Sequence, residues 1–260
     1  MYLSTSKLMG GLGNYLFQIS AAYSLSLRDD KEYVCDISDE QKAHNSVSHY
    51  SKNILRKLKF VNGITNFIPI GQSAFSFEEL PRINSNTKLF GYFQSEKFFL
   101  NHREQVLDLF EIDEFTKNYL YDKYKKELAL DNCSLHVRRG DYLGLPNHHP
   151  TQSPSYYKES VEMIGPEKHF LIFSDDIFWC KKNFDFIPNK TFVCDNQDYQ
   201  ELYLMSLCKN NIICNSTFSW WGAWLNTNEH KKIISPKKWF GSSNLHLETK
   251  DLYCDKWIVI

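Results

Sequence analysis

The chain has 260 residues, 42% hydrophobic and 15% aromatic, enough to build a core for one large domain or two small ones. Thirty Lys and Arg stand against 31 Asp and Glu, a formal net charge of −1, so no overall basic field points to nucleic acid and any anion site must be local. The seven cysteines are scattered and never spaced C-x-x-C, which reads as reduced thiols packed as small hydrophobes, with no disulfide and no structural zinc.

In chain order, a weak strand over Leu3–Lys7 leads into Gly10-Gly11-Leu12-Gly13-Asn14. Leu16, Ile19, Tyr23 and Leu27 then keep helical spacing and predict one apolar face. Glycines feeding a helix N-terminus leave backbone N–H groups for an anion or a ligand hydroxyl, and a tight structural turn explains them equally well. The dinucleotide fingerprint is excluded because Leu16 stands where its last glycine would fall. Residues 30 to 90 are weakly patterned, with Lys52–Lys59 moderately helical. The run Gly91–Phe99 interrupts its aromatics with Gln94, Ser95, Glu96 and Lys97, and one helix is expected over about Asn101–Leu130. No stretch approaches the roughly 20 apolar residues of a membrane span, and the first ten residues lack a signal pattern.

The second half is regular. Short apolar runs at Cys133–Val137, His169–Phe173, Thr191–Cys194, Asn211–Cys214 and Lys232–Ser235 alternate with helical segments at Ser155–Ile164, Asp176–Asn183, Tyr199–Cys208 and Thr217–Leu225. This alternation predicts a parallel sheet covered on both faces. The residues after each strand then share the sheet's carboxyl edge, where open α/β sheets bind ligands. They include Arg138-Arg139-Gly140-Asp141, Ser174-Asp175-Asp176 and Asn215-Ser216-Thr217. Two adjacent arginines at a strand end suit a phosphate, because a guanidinium donates two parallel hydrogen bonds; the plainer reading is a basic turn with Asp141 pairing one of them. Ser216 or Thr217 can cap a helix whose N–H groups also suit a phosphate. Of Trp220, Trp221 and Trp224, at least one is expected in the core and another beside a base or sugar. Asp175 could accept from a guanine or ribose, or hold a divalent metal. Asp175 and Asp176 are adjacent, whereas metal-dependent sugar transferases often space such carboxylates by one residue, so no metal is expected; His148 and His149 lack a third zinc ligand. Together these features describe a nucleotide-diphosphate site.

In order and spacing, Gly10–Asn14, Gly91–Phe99, His136-Val137-Arg138-Arg139-Gly140-Asp141, Phe173–Asp176 and Asn215–Trp224 resemble the bacterial α-1,2-fucosyltransferases of glycosyltransferase family 11. The resemblance implies an α/β, GT-B-type fold, two Rossmann-like halves facing across a cleft. The expected division is 1–130 as the acceptor side, 131–240 as the donor-binding half and 241–260 as a tail. It implies inverting transfer of L-fucose from GDP-L-fucose to the 2-hydroxyl of a terminal galactose, in an oligosaccharide or lipid-linked glycan, with no cofactor or metal. The implied location is cytoplasmic, with peripheral contact at the inner membrane left open. Arg138 would hold the diphosphate, His136 and Asp141 would shape the strand end, and Asp175 would lie near the guanosine. Ser216 and Thr217 would lie near the phosphates, and Asn14 with Gly11 and Gly13 would approach the reacting sugar. Asp141 and Glu96 are both candidates for the general base. The sequence departs from the family at Tyr15, where Gln is usual, which bears on acceptor choice only if that position touches the acceptor. Transfer with another linkage or acceptor, or a non-catalytic nucleotide- or carbohydrate-binding role, are the alternatives.

Overall fold

Parallel strands organise both halves of the chain. The computed structural model describes residues 1–5, 8–38 and 46–260. It divides into two units, Met1–Asp113 with Leu247–Cys254, and Glu114–His246 with Asp255–Ile260.

Unit 1 begins with β1 (Tyr2–Thr5), the 17-residue α1 (Leu12–Arg28), β2 (Glu32–Tyr33) and β3 (Cys35–Asp36). It continues through α2 (Val47–Tyr50), β4 (Phe60–Val61), β5 (Ile68–Gly71), β6 (Thr87–Phe90) and α3 (Arg103–Leu109). Four strands form a parallel sheet in the order β2-β1-β6-β5, and β3 pairs with β4. Parallel neighbours require a crossover, and α1 supplies the one from β1 to β2. Leu16 and Ile19 are fully buried and Leu27 is 37% exposed, but burial runs nearly all round the helix from Tyr15 to Ala22. The expected single apolar face is therefore only the start of what α1 buries. Lys52–Lys59 forms turns rather than a helix. A buried ion pair fixes this weakly patterned region: Lys88 Nζ lies 2.8 Å from Asp36 Oδ2, with side-chain exposures of 4% and 0%. Asp36 also accepts N–H bonds from Ser38, Gly63 and Ile64.

Unit 2 runs from α4 (Glu114–Lys123) and α5 (Lys125–Ala129) into β7 (Asn132–Val137), α6 (Pro154–Ile164), β8 (His169–Ser174) and α7 (Ile177–Asn183). Then come β9 (Lys190–Phe192), α8 (Asp198–Leu207), β10 (Asn210–Ile212), α9 (Thr217–Trp224), β11 (Ile233–Ser235) and β12 (Ile258–Val259). All six strands are parallel, in the order β12-β11-β10-β7-β8-β9. Successive strands go one way from β7 and then the other, so the strand order reverses between β7 and β10. That reversal is where ligands enter open α/β sheets, above the carboxyl ends of the strands. Cys133, Leu135 and Val137 face a core completed by Tyr157, Phe170, Ile172, Phe184 and Ile212. The alternate residues of β7 are polar and still buried. Ser134 Oγ accepts from Asn211 Nδ2 at 2.7 Å, and Asn132 Oδ1 accepts from Lys209 N at 2.8 Å, so each finds a partner inside.

The division differs from the expected 1–130, 131–240 and 241–260. The predicted helix over 101–130 is three helices, and the break falls between α3 and α4. The later two belong to unit 2 because Lys123 Nζ donates to the carbonyls of Cys194 (3.1 Å) and Asp195 (2.9 Å), while Asn196 Nδ2 donates to Tyr124 Oη (2.7 Å). Nor is 241–260 a tail. Asp251 accepts from Phe77 N (2.9 Å) and pairs with Lys97 (2.6 Å) inside unit 1, and β12 completes the six-stranded sheet beside β11. All seven cysteines are free, and only Cys194 is exposed. Among the described residues no helix is long and apolar enough to cross a membrane.

Candidate active site

The register pairs Val137 of β7 with Ser174 of β8, and the next residues, Arg138 and Asp175, consequently meet where the strands end. Asp175 organises this turn. Its Oδ1 accepts from Arg139 N (2.8 Å), and its Oδ2 accepts from Gly140 N (3.0 Å) and lies 3.2 Å from Arg138 Nη1. Arg138 Nη2 pairs with Asp141 Oδ1 at 2.8 Å. Two carboxylates on two different guanidinium nitrogens fix the plane of Arg138, whose side chain remains 34% exposed. Tyr142 flanks it, with the ring centroid 5.8 Å from the guanidinium carbon, and donates its hydroxyl to the Asn215 carbonyl at 3.0 Å.

The two arginines diverge. Arg139 Nε bonds Asp176 Oδ2 at 3.1 Å, and its guanidinium lies 4.2 Å from the Trp179 ring centroid. Asp176 is also the N-cap of α7, accepting from Trp179 N at 3.0 Å. That backbone bond first, and Arg139 after it, hold its carboxyl below the usual carboxylate range. The pairing that the plain basic-turn reading expects, Asp141 with one of the two arginines, is present at Arg138; Arg139 is paired with Asp176 and is 15% exposed, and Arg138, at 34%, is the more open arginine at the strand reversal. His136, one pleat earlier, is 6% exposed, with Nδ1 3.2 Å from Cys214 Sγ. Burial, aided by the charge of Arg138, pushes its imidazole down to about 3, so the ring is neutral at working pH.

Across the reversal, Asn215 is 1% exposed and its amide joins three loops. Nδ2 donates to the carbonyls of Pro150 (2.9 Å) and Trp239 (3.0 Å), and Oδ1 accepts from Gln152 (2.9 Å). Ser216 is the N-cap of α9, its hydroxyl accepting from Phe218 N at 3.4 Å, and Thr217 is the first helical residue. The tryptophans correct an expectation. Trp220, Trp221 and Trp224 are 0%, 0% and 2% exposed and pack on one another, with Trp220 also against Trp257, so no ring among them is free to flank a base. Gly222 lets α9 approach α8, since a Cβ there would lie 2.7 Å from Met205 Cβ.

In unit 1 the β1 and β6 strand ends lead to the other residues expected at the site. The loops after β1 and β6 leave neighbouring parallel strands at their carboxyl ends. Gly10 has φ +82°, and a Cβ on it would lie 2.2 Å from Asn14 Nδ2. Gln18 ties the loop to α1: its Nε2 donates to the carbonyls of Met9 and Asn14, both at 2.9 Å, and its Oε1 accepts from Met9 N at 3.1 Å. Gly11, the N-cap of α1, has an extended backbone, and no described atom would lie within 4 Å of a Cβ placed there. Its missing side chain answers to open space above the helix N-terminus rather than to the fold. Gly13 is buried within α1. Tyr15 is 1% exposed and packs edge-on to Tyr50 (centroids 6.4 Å apart), so the family departure lies in the core. Glu96 opens the 3₁₀ turn Glu96–Phe98.

The sequence assigned no role to Tyr142, Gln152, the Asn215 amide or Gln94, whose Nε2 donates to Asn14 Oδ1. Their signal was polarity next to a strand end or inside an aromatic run. Among the described residues no three His, Cys, Asp or Glu side chains gather into a metal-binding group.

The sequence model of Glycosyl transferase family 11 matches residues 72–260, well over half the chain. This chain belongs to glycosyltransferase family 11. Two Escherichia coli proteins are similar to this family member over almost their whole length. The O-antigen biosynthesis glycosyltransferase WbnK is 34% identical, covering 97% of this chain and 99% of WbnK. An alpha-1,2-colitosyltransferase is 30% identical, covering 100% and 99%. Among solved structures, the fucosyltransferase NodZ from Bradyrhizobium superposes with a TM-score of 0.57 at 12% identity, over 85% of this chain and 91% of that one. NodZ has also been solved as an α-1,6-fucosyltransferase soaked with GDP-fucose. At that identity the likeness establishes the fold, which is GT-B-type α/β with two Rossmann-like units. The chain is a glycosyltransferase.

Proposed function

We propose that this glycosyltransferase moves L-fucose from GDP-L-fucose to the 2-hydroxyl of a terminal galactose, with inversion, during assembly of an O-antigen-type surface polysaccharide. The observation that carries the reading is Arg138, partly exposed at the β7/β10 reversal with its plane fixed by Asp141 and Asp175. In the proposed reaction the galactose O2 attacks the anomeric carbon, the carbon–oxygen bond to the diphosphate breaks, and the electron pair leaves with GDP. The charge that develops on the diphosphate is met by Arg138 and by the N–H groups at the start of α9, behind Ser216 and Thr217. No metal is needed in this scheme, because the arginine supplies the neutralising charge.

Each remaining residue has a role in the scheme. Asp141 is spent on Arg138 and orients it. Asp175 acts on the donor through the same arginine and the turn it holds. His136 fixes the strand end as a neutral ring. The family resemblance supports a role for Asn14, with Gly11 and Gly13, toward the sugar; of the two glycines, Gly11 has open space beside it and Gly13 is buried within α1. Of the two carboxylates considered for the base, Glu96 is proposed to take the acceptor proton. The enzyme would work in the cytoplasm, in peripheral contact with the inner membrane when the acceptor glycan is lipid-linked. The colitosyltransferase supports a second reading of the donor sugar, colitose in place of fucose.

Arg138→Lys tests the anion site. A lysine keeps one positive charge but cannot bridge Asp141 and Asp175 or present a planar fork. GDP affinity, measured by calorimetry, should fall by at least about tenfold, the cost of one charge-assisted bond of about 1.5–3 kcal/mol, and turnover should fall further. The EDTA-treated wild type should keep its rate. Unchanged GDP affinity in the variant would remove Arg138 from the donor site.

A further inference from the structure

We propose that Gln94 is a positioning residue for Asn14, turning the Asn14 amide so that its Nδ2–H donor, and not its carbonyl oxygen, faces an oxygen of the substrate sugar. The inference rests on the proposed transfer reaction and deepens it.

Gln94 is 8% exposed, and its Nε2 donates to Asn14 Oδ1 at 2.9 Å. An amide whose oxygen already accepts a bond from one side has its nitrogen turned to the other. That nitrogen lies over Gly10, where a Cβ would come within 2.2 Å of Nδ2 and push it away. The Asn14 carbonyl is held separately by Gln18 Nε2 at 2.9 Å, so backbone and amide are fixed independently. Two neighbouring parallel strands make the meeting possible, since β1 leads to Asn14 and β6 leads to Gln94.

The loop that delivers Gln94 is unusual for its sequence. Phe93 is fully buried and has φ +50°, a left-handed conformation that a bulky residue rarely adopts. Gly91 has φ +155°, and a Cβ there would lie 2.5 Å from Gln72 Cβ. Gln72 Oε1 accepts from both Tyr92 N (3.0 Å) and Phe93 N (2.9 Å), and Ser95 N donates to the Phe93 carbonyl at 2.8 Å. Backbone strain held by surrounding bonds beside a strand-end opening is the setting in which structures fix functional groups. Here it aims one amide at another.

The test compares Gln94→Glu with Gln94→Ala, reading kcat, KM for donor and acceptor, GDP affinity and the thermal midpoint. Glutamate has the shape of glutamine but only accepts when ionised, so it would reverse the Asn14 amide; alanine merely frees it. The positioning role predicts an inverted order of damage. Gln94→Glu should lose kcat by roughly ten- to hundredfold, Gln94→Ala by less, with GDP affinity within about twofold of wild type in both. As pH falls and the introduced carboxylate protonates into a donor, the Gln94→Glu variant should regain rate relative to wild type. A packing role predicts the opposite order, since glutamate fills the same space. Gln94→Glu as active as wild type, or milder than Gln94→Ala, overturns the inference. Should Gln94→Glu fail to fold, Asn14→Asp serves instead: it still accepts from Gln94 but has no donor, so it should fold and lose kcat similarly, and a wild-type rate there also overturns the inference. If the wild type itself releases no GDP from any donor, the failure belongs to the transfer reaction and not to Gln94.

Discussion

Gly140→Ala is the substitution whose consequence can be worked most directly from the structure. A Cβ on residue 140 would sit 2.7 Å from Asp175 Oδ2 and 3.3 Å from its Cγ. Since ordinary contact begins near 3.4 Å, the carboxylate would have to withdraw by 3.4 − 2.7, about 0.7 Å. The obstacle is the end of a side chain, so the fold should survive. Withdrawal would stretch the 3.0 Å bond from Gly140 N and the 3.2 Å pair with Arg138, loosening one of the two carboxylates that fix the guanidinium. A hydrogen bond to a charged group is worth about 1.5–3 kcal/mol, and each 1.4 kcal/mol is tenfold in affinity. GDP binding by titration calorimetry should therefore weaken by roughly ten- to hundredfold, while the thermal midpoint falls by only a few degrees. Wild-type GDP affinity in Gly140→Ala would refute the claim that Asp175 serves the donor by fixing the arginine.

Gly11→Ala should leave the thermal midpoint unchanged, because no described atom opposes its Cβ, yet lower kcat/KM if the sugar occupies that opening. Lys88→Met should cost about 3–5 kcal/mol in urea unfolding by stranding the buried Asp36 carboxylate, and the double variant Lys88→Met with Asp36→Asn should recover most of it. His136 should make stability rise with pH: its folded imidazole sits at about 3, so the unfolded chain binds the extra proton between that value and 6.5. From pH 6.5 down to 5 the loss is between about 1 and 2 kcal/mol, the slope rising from half of 1.36 kcal/mol per unit at pH 6.5 toward the full value, and His136→Gln should flatten that part of the urea-midpoint profile.

The second half of the chain was legible because each of its strands is a short apolar run closed by polar residues. β7 to β11 fall within about two residues of the expected runs, and the helices between them likewise. Knowing where the strands end gave Arg138, Asp175 and Ser216 as neighbours of one edge. Strand order was not legible, since the β7/β10 reversal depends on pairing across the sheet and not on any local pattern. Residues 30 to 90 stayed opaque because β2, β3 and β4 are two residues each and depend on partners such as the Asp36–Lys88 pair. The tryptophans misled because three large rings in five residues looked excessive for a core. Their packing on one another, and of Trp220 against the distant Trp257, is what absorbs them. Gln94 was visible as a polar interruption, but its role needed Phe93's backbone, which no sequence pattern announces.

Fucosyl transfer to a galactose 2-hydroxyl leaves two products that can be followed, GDP and the new glycosidic bond. The measurement that tests it most directly is GDP release by the wild-type enzyme from GDP-L-fucose, with and without lactose and with the GDP-activated colitose donor in parallel, followed by linkage assignment of the product by NMR. Acceptor-dependent release and a new α-linkage at O2 of galactose are expected. Tight GDP binding without release to any galactoside, or a product linked at another oxygen, would contradict it.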